Sequence, residues 1–124
     1  MSVQLKIFEY VKSLTGLSFT YLLPQGEGYA AQLAPGGEDN TYFDGGKDYT
    51  LGIEFLGKGR DQHELADSLF RLCDKLTAKA KHPYGIKSIN VGTSPTMVCK
   101  ENNMWVWTCI INVKFNVKGM VLNE

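Results

Sequence analysis

The chain holds 124 residues, 44% hydrophobic and 21% charged, and its thirteen basic side chains balance thirteen acidic ones. That size suits a single domain over residues 1–124 with a core of its own, and the composition excludes a disordered chain. Balanced charge provides no overall field for nucleic acid or an anionic membrane, and no apolar run approaches the roughly 20 residues that cross a bilayer.

The N-terminal residues show no basic stretch ahead of an apolar run and cleavage site, which points to a protein made and folded in a cytosol. Three cysteines, Cys73, Cys99 and Cys109, lie in apolar contexts without Cys-x-x-Cys spacing. That is the pattern of buried free thiols in a reducing compartment.

In chain order, Val3, Ile7, Tyr10, Val11 and Leu14 mark one face of a short amphipathic helix, with Lys6, Glu9 and Lys12 on the other and Gly16 placed to end it. Ser18 to Leu23 is rich in aromatic and β-forming residues and stopped by Pro24, so it reads as a strand. Tyr29, Ala31 and Leu33 alternate as a second short strand, and Pro35 to Glu38 make a loop. Asp44-Gly45 accepts the positive φ of a tight turn between two arms. The first arm carries Tyr42 and Phe43; the second sets Tyr49, Leu51, Ile53 and Phe55 against Thr50, Gly52 and Glu54.

Gly57, Lys58 and Gly59 break that alternation, and Asp61 with Glu64 three residues on makes a capping box with Asp at the cap. The helix that follows carries Leu65, Leu69, Leu72, Cys73, Leu76 and Ala80 on a single stripe, which must lie on something apolar. Lys79, Lys81 and His82 complement its C-terminal dipole, and Pro83 stops it. Beyond it, Ile86 to Val91 reads as a short strand, Gly92 to Pro95 as a turn and Thr96 to Lys100 as another strand; Glu101-Asn102-Asn103 reads as a hairpin turn.

The last strand reads as the longest and as the middle of the sheet, with Trp105, Trp107, Cys109, Ile111, Val113, Phe115 and Val117 on one face. On its other face Val106, Thr108 and Ile110 give way to Asn112, Lys114, Asn116 and Lys118, so its first half needs cover on both sides. The whole is an α+β fold: an antiparallel or mixed sheet with the N-terminal helix and one long helix packed on one face.

No set of His, Cys or carboxylates has ligand spacing, so neither metal nor cofactor is expected. His63 and Glu64 are neighbours, but adjacent helical positions do not face each other, and His82 has a helix-end role. Gly57 to Asp61 has glycines ahead of a helix N-terminus, a place for an anion, although the Gly-Lys-Ser/Thr ending of a phosphate loop is missing. Asp39, Asp44 and Asp48 lack calcium-loop spacing and read as turn residues. Trp105 and Trp107 with Tyr42, Phe43 and Tyr49 read as core and protein interface rather than as a base-stacking platform, since no basic patch surrounds them.

The Tyr42-Phe43-Asp44-Gly45-Gly46-Lys47-Asp48-Tyr49 run leads into Leu51-Gly52-Ile53-Glu54-Phe55, followed by a helix over Asp61 to Ala80, the segment Ile89 to Val98 and a closing strand of alternating aromatics. This series resembles the small minor capsid or tail-completion proteins of long-tailed bacteriophages, over most of the chain, and more distantly the tail terminators. The resemblance implies a structural virion protein without catalysis. It would form a homo-oligomeric ring, a hexamer by that likeness, which caps the tail tube and joins it to the head. Its partners would be tail-tube and head-connector proteins, and its place the head–tail junction after assembly in the host cytoplasm. With that likeness, the apolar outer positions Val106 and Ile110 become a candidate subunit contact, and Lys58, Arg60, Glu101 and Lys114 candidate rim residues setting register. The alternative expectation is a monomeric ligand-binding or catalytic α+β domain using the Gly57 to Asp61 turn.

Overall fold

A computed structural model describes residues 3–34, 40–41, 47–79 and 81–116. The Asp44-Gly45 turn with Tyr42 and Phe43, the Pro35 to Glu38 loop, Ala80, Val117 and Lys118 lie outside the described residues. The first helix, α1 (Val3–Thr15), buries Val3, Ile7, Phe8 and Val11. It ends where Gly16 takes a φ of 73°, a left-handed conformation that glycine adopts without strain. Three strands follow, β1 (Gly28–Ala34), β2 (Asn40–Thr41) and β3 (Lys47–Gly59), then α2 (Gln62–Ala78), β4 (Ile86–Glu101) and β5 (Met104–Asn116). The sheet runs β1-β3-β5-β4, with the short β2 paired to the start of β3, and every one of these pairings is antiparallel.

The fold is thus α+β, with the middle strands β3 and β5 at the centre of a core that both helices complete. Ile53 and Phe55 of β3 stand in register with Ile111 and Cys109 of β5, and all four are fully buried. The α2 stripe of Leu65, Leu69, Leu72, Cys73 and Leu76 is buried, most of it joining α1 and the sheet in one apolar cluster. Asp61 caps α2, its carboxylate accepting the Glu64 N–H at 3.1 Å. The hairpin turn falls at Asn102 and Asn103, with φ of 51° and 62°, as a two-residue turn joining twisted strands requires.

Several expectations need correction. Ser18 to Leu23 is not a strand: only Thr20 bridges to Ala30, in parallel, and Tyr21 and Leu22 remain 80% and 75% exposed. Its backbone pairs with a strand at one point only, because the chain bends away at Tyr21. Leu33 alternates with Ala31 but sits on an edge strand and stays exposed.

Gly57-Lys58-Gly59 does not end β3 either, since all three remain in the ladder with β5. Gly57 is glycine because α2 comes close: a Cβ there would stand 2.6 Å from Leu65 Cδ1. Residues 86–101 form one strand instead of two around a turn, which makes β4, at 16 residues, longer than the 13 of β5. Register shifts between Val91 and Thr93, Thr93 and Thr96, and Met97 and Cys99 absorb Gly92 and Pro95 without reversing the chain. Cys99 is therefore exposed on this edge strand, unlike the buried Cys73 and Cys109.

Candidate assembly surface

Both helices cover one face of the sheet, and the side chains that alternate away from them make the other. Cross-strand neighbours share a face, so Gln32, Glu54 and Thr108 of β1, β3 and β5 line up there. Gln32 Nε2 donates to Glu54 Oε1 at 2.6 Å, and Thr108 Oγ1 donates to Glu54 Oε2 at 3.0 Å. Ile110 stands opposite Glu54, half-buried, and Lys114 is exposed further along β5.

At the hairpin end of this face the arrangement is an interior. The Lys58 side chain is only 3% exposed, and its ammonium donates to Glu101 Oε1 at 2.9 Å and to the Pro24 carbonyl at 3.3 Å. An ammonium out of water is tolerable only with such acceptors. Val106 lies opposite Lys58 in the ladder and is 2% exposed. The cover that the apolar first half of β5 demanded thus belongs to this chain itself. The loop around Pro24 lies against this end, its Cγ 2.9 Å from where a Cβ on Gly28 would stand. Of the six residues expected at an interface, Lys58 and Val106 are inside the subunit, while Arg60, Glu101, Ile110 and Lys114 keep surface.

The opposite end carries a second polar tie. Asp48, expected as a turn residue, is 2% exposed within β3; its carboxylate accepts from Asn116 Nδ2 at 2.7 Å and from Lys87 Nζ at 2.9 Å. Three strands are joined there through one carboxylate.

An open cleft of about 260 Å³ lies at the α2 N-terminus, bordered by Glu27, Tyr29, Arg60, Asp61 and Glu64. Arg60 reaches Glu27 at 4.0 Å. The anion cradle of the alternative reading does not form here: Gly57 and Gly59 belong to the ladder, Lys58 turns to the other face, and the Asp61 carboxylate takes the helix-end N–H itself. His63 is exposed on the first turn of α2. His82 ties the end of α2 to the middle of α1, accepting from the Tyr10 hydroxyl at Nδ1 (2.8 Å) with Nε2 3.1 Å from the Lys79 carbonyl, in the tautomer that satisfies both.

The Cys73 and Cys109 thiols meet between α2 and β5. Their mutual hydrogen bond and then burial push the Cys109 thiol far up, while the same bond lowers Cys73. Tyr49 stacks on Phe115 at 5.5 Å, at the end of β3 remote from Trp105 and Trp107, so these aromatics form no common platform. Among the described residues no group of three or more His, Cys, Asp or Glu gathers as a metal site, and no helix is long and apolar enough to cross a membrane.

The exposure of Val91, Met97 and Val98 was not foreseen, because a strand broken by bulges no longer shows period two. No protein-family model matches the chain, and no curated protein sequence does.

Proposed function

We propose that this protein is a structural component of a tailed-phage virion, a tail-terminator or tail-completion protein. Copies of the chain close into a ring that caps the tail tube and joins it to the head. Its partners are itself, with six copies implied by the resemblance, and the tail-tube and head-connector proteins; assembly takes place in the host cytoplasm. The observation that carries this reading is the contrast between paired charges and unpaired apolar surface. Lys58, Asp48, Glu54 and Arg71 each find partners within the chain, whereas Tyr21, Leu22 and Val98 are more than half exposed. Exposed large apolar side chains mark contact surfaces, and the resemblance supplies the kind of contact. Negative-stain electron microscopy of the purified protein tests it. Rings with a central opening are expected, and uniformly small, featureless particles at every concentration contradict it.

A further inference from the structure

Ser68, Arg71, Leu72 and Lys75 recur along α2 at the spacing that puts them on one face of the helix. That face borders an open cleft of about 240 Å³, closed on the other side by Thr15 and Leu17 where α1 ends. Two of the residues lining the cleft are cations and none is an acid. Three other clefts each include a carboxylate: Glu27, Asp61 and Glu64 at the α2 N-terminus, Glu101 beside Pro24, and Glu9 beside Lys12.

Like charges four residues apart on a helix repel, and the chain answers only one of this pair. Arg71 gives Nε, at 3.0 Å, and Nη2 to a single oxygen of Asp67, which fixes the guanidinium and leaves the two hydrogens of Nη1. Lys75 meets no carboxylate among the described residues. Its ammonium has the Thr15 carbonyl at 3.4 Å, one long bond for three donors. That carbonyl belongs to the negative end of the α1 dipole, so it orients the ammonium but does not balance its charge. The Ser68 hydroxyl stands 2.6 Å from that of Tyr29; with Tyr29 donating, Ser68 keeps its own hydrogen for another acceptor. Leu17, half-buried, and Leu72, buried, add an apolar wall.

We propose that this cleft binds a phosphate monoester. Its oxygens lie on the Lys75 ammonium, Arg71 Nη1 and the Ser68 hydroxyl, and the carbon end of the ester lies on Leu17 and Leu72. Two positive groups suit the near-dianionic charge of a monoester at neutral pH, and charge-assisted bonds supply the affinity. The site stands apart from the assembly reading, since it uses the helix layer of one chain.

Phenyl phosphate, inorganic phosphate and benzoate, titrated at fixed ionic strength into the isotope-labelled chain and followed by amide NMR shifts, test it. Phenyl phosphate is expected to give saturable shifts centred on Leu17, Ser68 and Lys75, with weaker binding of inorganic phosphate, which lacks the carbon end, and of benzoate, which carries one charge. Lys75→Gln should weaken phenyl phosphate by about tenfold or more, while Lys100→Gln, the same change of charge on β4, leaves it unaltered. Circular dichroism checks the fold, and Arg71→Gln takes the place of Lys75→Gln should that variant unfold. No saturation with phenyl phosphate, shifts that avoid the cleft, or full affinity after Lys75→Gln overturns the site. Equal binding of inorganic phosphate or benzoate overturns the monoester as its ligand.

Discussion

The two faces of the sheet are held by different physics. On the helix-covered face, Ile53, Phe55, Ile111 and Val113 meet Leu69 and Leu76, all at 0% exposure, and no polar partner is needed. On the other face the strands are joined by side-chain bonds, Gln32–Glu54–Thr108 in the middle and buried charges at the ends. Burial of apolar area is additive and forgiving of exact geometry, while a polar tie depends on each partner being present. The first face gives the chain its stability; the second leaves edges and surface available to a neighbour.

The sharpest way to break this division is to place a charge where the helix-free face becomes an interior. Val106→Lys sets a second ammonium against Lys58 and is expected to unfold the chain, a loss of more than about 3 kcal/mol. A folded variant of near-normal thermal midpoint would return Val106 to the surface. Leu69→Ala opens a cavity under α2 on the other face, with an expected loss of about 2 to 5 kcal/mol in denaturant unfolding. A loss well under about 1 kcal/mol would mean that the stripe does not lie on the sheet.

The polar ties predict an asymmetry instead of a large effect. Glu101→Ala leaves the buried Lys58 ammonium with the Pro24 carbonyl alone and is expected to cost about 1 to 3 kcal/mol. Lys58→Met removes the buried charge and fills a similar volume, so it should stay within about 1 kcal/mol of the unchanged chain. Urea titrations of both variants check the order, and a Lys58→Met loss exceeding that of Glu101→Ala would show that the pair is stabilising in itself.

The same division explains what could be read from the residues. Leu65 to Leu76 and Cys109 to Phe115 are periodic because one face of each element meets a continuous core, and that period is visible in the chain. Asp61 and Asn102-Asn103 were legible for a related reason, since caps and tight turns are local. Lys58 was not, because the partner that permits its burial, Glu101, is 43 residues away. Gly57 read as a break, although its cause is a close approach by Leu65 from the next element. Pro95 read as a turn because the bulges that carry it depend on pairing with β5. The candidate surface was legible in part: Ile110 and Lys114 keep surface, but Val106 is buried opposite Lys58, whose partners Pro24 and Glu101 are distant in the chain.

Native mass spectrometry of the purified, untagged chain tests the central claim most directly. The account predicts one closed multiple of the 13.8 kDa subunit, dominant above a threshold concentration and without a ladder of open intermediates. A single 13.8 kDa species at every concentration would contradict it.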